Sequence, residues 1–326
     1  MSETIRRKVK IISRSSRDFI REAFNTKDYS LADFFHGYVY ARWPYHYIGI
    51  GRNTHPLTKF LIPLFKLWQR LFPPKPSSSL HDIDIPSNTI ADGYHGKVTP
   101  LNSARQLVMV QEPIRVNDLE KVVPYVRARS ILMQHPDHIA VIDCPCRLTS
   151  PNPCYPMDVC LVIGEPFASF VLEHHPHHSR KLTQDEAVQI LEAEHERGHV
   201  HHVFFKDAML GRYYAICNCC SCCCGAINAH RNGKPMLASS GYIAQLDVSS
   251  CSGCEYCIDF CQFDALSMDI GILSINEAKC MGCGVCVSHC PEDAISLVLA
   301  PEKGIPLDID DLIEATNLSQ RSEVDP

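Results

Sequence analysis

Eighteen cysteines in 326 residues are the side chains here best suited to chemistry. They fall in four clumps, 144–160, 217–224, 251–261 and 280–290, with none before Cys144. The last two clumps share one spacing. Cys251-x2-Cys254-x2-Cys257-x3-Cys261 recurs as Cys280-x2-Cys283-x2-Cys286-x3-Cys290, followed by Pro291. Three thiolates at three-residue intervals wrap one face of a metal–sulfur cubane, with the intervening backbone amides directed at its sulfides. A fourth, already turned into a helix, reaches further away. The repeat offset of 29 residues aligns more than the cysteines: Asp264-Ala265-Leu266 falls on Asp293-Ala294-Ile295, where a short helix is expected to start behind each motif. Zinc sites usually use two pairs separated by a longer spacer, and a disulfide framework needs an oxidising compartment. Four cysteines in eleven residues suit neither.

This stretch, about residues 241–300, resembles the two-cluster bacterial ferredoxin family, in which the fourth cysteine of each run ligates the other cluster. The resemblance implies a pseudo-twofold fold holding two [4Fe–4S] clusters and carrying low-potential single electrons. It implies Cys251, Cys254, Cys257 and Cys290 as ligands of one cluster. Cys280, Cys283, Cys286 and Cys261 would hold the other. One departure bears on the turn at Cys261: the next residue is Gln262, where the family usually has proline.

Ten further cysteines lie upstream: Cys144, Cys146, Cys154, Cys160, Cys217, Cys219, Cys220, Cys222, Cys223 and Cys224. A structural cysteine behaves as a small hydrophobe and is scattered through a core, whereas six of these fall within eight residues. The pattern points to ligation. One or two additional iron–sulfur clusters are expected here, with zinc held by four of the thiolates as the alternative. Adjacent cysteines point in different directions, so the run 219–224 is expected to divide between two centres. Arg147, beside Cys146, is expected to bind the cofactor by hydrogen bonds to a sulfide or by neutralising its charge; a solvent-facing arginine is the alternative. The whole arrangement resembles a set of iron–sulfur proteins of anaerobes, a likeness that names no substrate.

The elements that must hold these thiols are expected to form an α+β chain. Residues 1–79 read as a helical, basic and aromatic-rich arm that docks on a partner, on its own core or on a membrane surface. A Pro/Ser linker covers 73–79. Residues 80–240 read as a cysteine-rich α/β domain, 241–300 as the ferredoxin domain and 301–326 as an acidic tail. Within the arm, residues 2–24 are expected to form a basic helix, and Leu57–Phe72 is too short and too charged to span a bilayer but suits an interface. Within the α/β domain, strands are expected at 139–142, 159–164, 203–205 and 213–216, with a helix at 118–133. A capping box at Thr183-Gln184-Asp185-Glu186 opens a helix that stops at Gly198.

Seventeen histidines include two dense patches, 174–178 and 195–202. They read as a metal or proton-handling site, or as a polar loop and a helix end. His195-Glu196-Arg197-Gly198-His199 spells the HExxH pattern, but that motif needs both histidines on one continuous helix, and Gly198 is expected to end it. Gly49-Ile50-Gly51 lacks the context of a dinucleotide fingerprint, and no Walker or Ser/His/Asp motif is present. A basic N-terminus alone does not make a nucleic-acid module. Basic residues 6–10 lead into no apolar secretory segment, so a cytoplasmic setting is expected, or a peripheral one on the inner face of the cytoplasmic membrane. Oxygen-sensitive clusters suggest an anaerobic cell.

The net charge of −6 hides an asymmetry: residues 251–326 carry three Lys/Arg against fourteen Asp/Glu. Such an end favours a redox partner with a basic docking face. The expectation is therefore an electron-transfer protein, a multi-cluster relay or a subunit of a larger redox complex. The alternative is an oxidoreductase whose 144–224 region carries a catalytic cluster fed by the ferredoxin domain.

Overall fold

The computed structural model describes residues 12–26, 29–59, 63, 94–111, 135–234, 236–311 and 314. The expected helix at 118–133, the linker at 73–79, most of 57–72 and most of the acidic tail lie outside the described residues.

Among the described residues, three helices come first: α1 (Arg14–Asn25), α2 (Leu31–Arg42) and α3 (Pro44–Gly51). Their starts follow from local chemistry. Ser13 accepts a hydrogen bond from Ser16 N, Ser30 and Asp33 form a reciprocal capping box, and Pro44 begins α3 at a position whose N–H is spare.

A seven-stranded sheet follows. Its strands are β1 (Tyr94–Thr99), β2 (Ile139–Asp143), β3 (Asp158–Ile163), β4 (Ser179–Leu182), β5 (Val200–Lys206), β6 (Arg212–Cys219) and β7 (Leu237–Ala238). They lie in the order β4-β2-β3-β6-β5-β1-β7. Only the β1–β7 pair is parallel; the others run antiparallel. Between the strands come α4 (Leu101–Met109), α5 (Pro145–Leu148), α6 (Phe167–His174), α7 (Gln184–Glu196) and, after β6, α8 (Gly225–Arg231).

Alternation along the strands sorts their residues into two cores, as a period of two requires. Ile139, Val141, Leu161, Ile163, Val203 and Phe205 pack with α4 and α7 on one face. Ala140, Ile142, Val162, Val200 and Phe204 pack with Phe19 of α1, Ala41 of α2 and Phe167 and Phe170 of α6 on the other. With both faces covered, β5 is buried along its whole length, including His201 and His202. These histidines therefore lie in a central strand, not in a polar loop.

The opening helices are locked to this second face. Phe19 is fully buried, edge-on to Phe34, Phe167 and Phe170. The first histidine patch serves the same contact: His174 hydrogen-bonds with Ser16 Oγ at 3.0 Å, and His175 donates to Ala41 O at 2.8 Å. Among the described residues, no helix is long and apolar enough to cross a membrane.

The C-terminal part repeats a small unit. β8 (Tyr242–Leu246), α9 (Tyr256–Asp259) and β9 (Leu266–Asp269) are followed by β10 (Ile272–Ile275), α10 (Val285–Ser288) and β11 (Ile295–Leu299). The helix and its following strand recur 29 residues later, so Asp264-Ala265-Leu266 and Asp293-Ala294-Ile295 lead into strands and not into the short helices expected there. β8 pairs with β11 and β9 with β10, both antiparallel. Left-handed backbone recurs at the same offset: Gly253 and Gly282, Glu255 and Gly284, Asp264 and Asp293.

Candidate metal centres

Each repeat wraps a loop of cysteines around a small pocket, and each pocket borrows one cysteine from the other repeat. The first is lined by Cys251, Cys254, Cys257 and Cys290. The second is lined by Cys261, Cys280, Cys283 and Cys286. The helices explain the exchange. Cys257 and Cys286 lie in α9 and α10, and the chain leaves each helix with Cys261 or Cys290 pointing across the repeat boundary. Each of these two sulfurs also accepts a backbone N–H four residues on, from Ala265 and Ala294, at 3.2 Å. Burial pushes the Cys257 thiol up to about 11 and the Cys283 thiol up to about 12, with neighbouring cysteines adding to it. Such thiols ionise only beside a cation. Eight convergent soft donors, four to a pocket, suit iron–sulfur clusters.

The ten upstream cysteines divide in two. Cys154, Cys220, Cys222 and Cys223 draw their sulfurs within 4.8 Å of one another. Cys154 comes from the loop before β3, and the other three from the loop after β6. The second set, Cys144, Cys146, Cys160, Cys217, Cys219 and Cys224, lines a cavity of about 100 Å³ that also touches Cys220 and Cys223. The thiols of this set shift one another's ionisation in neighbouring pairs: Cys217 with Cys160, Cys160 with Cys144, Cys144 with Cys146, Cys146 with Cys224 and Cys224 with Cys219. Accepting from Cys144 and Cys224, Cys146 is held well below the ordinary thiol range, with Gly225 N–H and Arg52 helping. Cys219, accepting from Cys224, falls to about 6. Buried His202 lies within 4.8 Å of Cys219 and Cys224. Neither of its ring nitrogens has a hydrogen-bond partner among the described residues, so the thiols and the imidazole together form a donor set suited to a thiophilic centre.

Apart from Arg147 and Asn218, the rest of the cavity wall is mostly apolar or aromatic, including Ile142, Val162, Phe167, Phe170, Tyr214 and Ala215 from the sheet and α6, with Tyr40, Pro44 and Ile48 from α2 and α3. Arg52, capping α3, donates to Cys146 O and reaches Thr149 Oγ1 at 3.4 Å. No cysteine marks this segment, so its part in the site is invisible from the cysteine pattern.

Arg147 is 1% exposed, and the solvent-facing alternative does not hold. It donates to Pro156 O, to Asn218 O at 3.2 Å and to Glu194 Oε2 at 2.5 Å. Glu194 stays below the ordinary carboxylate range: burial opposes this, and the hydrogen bond with His199 and the Arg147 charge outweigh it. Arg147 lines the cavity, and its Nε has no hydrogen-bond partner among the described residues. It carries a buried positive charge beside Cys144 and Cys154.

The HExxH letters do not make a site. α7 ends at Glu196, Gly198 takes φ +81°, and the two imidazoles part company. His195 hydrogen-bonds with Ser288 Oγ at 2.7 Å, whereas His199 bonds Glu194 Oε2 at 2.7 Å. His195 thereby belongs to the seam between the sheet and the ferredoxin-like repeats. At that seam, His289 stacks on Phe260 with centroids 3.9 Å apart and hydrogen-bonds with Glu196 O at 3.0 Å.

A family model described as 4Fe-4S binding domain matches residues 273–296, which include Cys280, Cys283, Cys286 and Cys290. No curated protein matches the chain. With the matched motif, its repeat and the further cysteine groups in place, the chain carries an iron–sulfur cluster-binding segment at its C-terminal end.

Proposed function

We propose that the chain is an electron-transfer protein with two [4Fe–4S] clusters in a pseudo-twofold ferredoxin domain and one further cluster in the upstream cavity. The observation that carries this reading is the exchanged cysteine: each pocket takes three thiols from one repeat and one from the other. Bound clusters of this kind supply single electrons at potentials set by their surroundings.

The protein's own residues do the rest. Cys251, Cys254, Cys257 and Cys290 would hold one cluster, and Cys280, Cys283, Cys286 and Cys261 the other. Phe260, Phe263, Leu266 and Leu297 exclude water from the second pocket, and Met268, Leu273 and Ile295 from the first. In the upstream cavity, Cys144, Cys146, Cys160, Cys217, Cys219 and Cys224 are the candidate ligands. Arg147 balances their charge.

The partner is a redox protein with a basic docking face, in keeping with the acidic C-terminal portion. An exposed stripe on α2, Leu31, Phe35 and Val39, is the natural contact for a second subunit or a cytoplasmic membrane surface. A second reading rests on the same cavity. Its apolar wall of Phe167, Phe170, Tyr40 and Tyr214 beside six thiols has the character of a substrate pocket, which would make the chain an oxidoreductase.

Iron and acid-labile sulfide on anaerobically purified protein test the proposal. About twelve of each per chain is the expected result; about eight would limit clusters to the ferredoxin domain, and fewer would overturn the reading. Electron paramagnetic resonance of single variants tests the exchange. Cys261→Ser and Cys283→Ser should remove the same reduced-cluster signal, and Cys254→Ser and Cys290→Ser the other.

A further inference from the structure

The upstream tetrad differs from the ferredoxin pockets in one measurable way, the distance between its sulfurs. Cys154 Sγ lies 3.3 Å from Cys220 Sγ and 3.6 Å from Cys223 Sγ. Cys222 Sγ lies 3.1 Å from Cys220 Sγ and 3.7 Å from Cys223 Sγ. All four sit within 4.8 Å of one another. Four thiolates sharing one zinc at Zn–S of about 2.3 Å stand about 3.8 Å apart along the edges of a tetrahedron. A cubane puts an iron at each of four corners between its thiolates, so its ligand sulfurs must spread further. Among the described residues, sulfurs packed this tightly in threes or fours occur only upstream, and in neither ferredoxin quartet.

We propose that Cys154, Cys220, Cys222 and Cys223 bind a single tetrahedral zinc ion. Four sulfurs would fill every tetrahedral position, and among the described residues no fifth His, Cys, Asp or Glu joins the group, as in structural zinc sites. The loops joined are 66 residues apart in sequence. One carries Cys154 and the edge of β3, the other Cys220 to Cys223 and the start of α8. A zinc here would fix the Cys220–Cys224 turn, and so would aim Cys219 and Cys224 at the neighbouring cavity. The site would hold the turn whether or not that cavity carries a cluster, so this inference stands apart from the iron–sulfur reading.

Metal analysis and zinc-edge X-ray absorption of the full wild-type chain, purified anaerobically, provide the test. One zinc per chain is expected, with a first shell of four sulfurs at about 2.3 Å. Cys154→Ser and, separately, Cys222→Ser should each lose that zinc while iron and sulfide per chain stay at the wild-type level. If either variant fails to fold, the wild-type absorption spectrum still decides the matter. Absence of zinc, a first shell containing nitrogen or oxygen, a mononuclear iron at this position, or zinc unchanged in both variants would each overturn the proposal. Loss of iron with zinc retained in these variants would likewise overturn it, since the cysteines would then serve a cluster.

Discussion

Ser221 N donates a hydrogen bond to Gln262 Oε1 at 2.7 Å. Ser221 sits inside the upstream cysteine run and Gln262 directly after Cys261, so two groups of metal-binding candidates are joined by one side chain. The same amide donates from Nε2 to Gly198 O at 2.9 Å, and Arg231 holds the Gln262 carbonyl at 3.0 Å and Asp264 at 2.8 Å. Proline, usual at this position in two-cluster ferredoxins, offers no side-chain donor or acceptor. The departure from the family pattern is where the ferredoxin-like repeats are tied to the sheet.

Replacing Gln262 with proline should therefore separate docking from folding. Two hydrogen bonds at about 1 kcal/mol each would be lost, lowering stability by about 2 kcal/mol in denaturant unfolding. Hydrogen exchange should quicken at 198–199 and 219–224, while iron content stays unchanged. Unaltered exchange there would remove Gln262 from the seam.

Gly198 is a second pivot of that seam. Its φ of +81° suits glycine, and a Cβ would meet Phe260 Cδ1 at 2.6 Å. Gly198→Ala should cost about 1–2 kcal/mol for the left-handed backbone alone, with a further loss from displacing Phe260 off His289. A melting temperature within a degree of wild type would contradict this contact.

Arg147→Met removes the charge that balances Glu194 in a site where both side chains are 1% exposed. Breaking a buried pair from one side leaves the partner uncompensated and costs about 3–5 kcal/mol. Arg197 at 3.0 Å from Glu194 softens that, so about 3 kcal/mol is expected. Pairing Arg147→Met with Glu194→Gln should recover much of the loss, as read from the two unfolding curves.

Stability should also depend on pH through His195. Burial, then the neighbouring His289, pull its pKa from 6.5 to about 4. The unfolded chain thus binds a proton that the folded chain refuses between these values. His195 contributes fully above pH 6.5, and its contribution is lost as pH falls toward 4. His195→Gln, which can still bond Ser288, should flatten the unfolding free energy over that window. An identical slope in the variant would show that other groups set the acid sensitivity.

Much of this was legible from letters alone. The 29-residue offset carried both ferredoxin motifs, and the capping box at Thr183 and the stop at Gly198 placed α7 within a residue or two. Strands rich in Val and Ile, such as β2 and β3, were also visible. β4 was not, because Ser179-Arg180-Lys181-Leu182 has no β-branched residue, and it is a strand only through its pairing with β2. His201 and His202 read as polar, although the layers above and below β5 bury them. That the cysteine run 219–224 sends its sulfurs to two groups could be anticipated from adjacent side chains pointing apart. Which sulfurs went which way could not, since Cys154 meets Cys220 only through the sheet. Tyr40 reaches the cavity, and Arg52 the Cys146 carbonyl, by helix packing, and no spacing rule connects them to the thiols.

The exchanged cysteines also set an order of events in time. A chain made from its N-terminus outward has Cys251, Cys254, Cys257 and Cys261 in place first, yet these four line two different pockets. The second pocket is incomplete until Cys286 has been made, and the first until Cys290. Neither can be loaded on a half-made repeat. The upstream donors from Cys144 to Cys224 are all present earlier, so on the proposed reading the C-terminal pair of sites would be the last to gain its full set of cysteines.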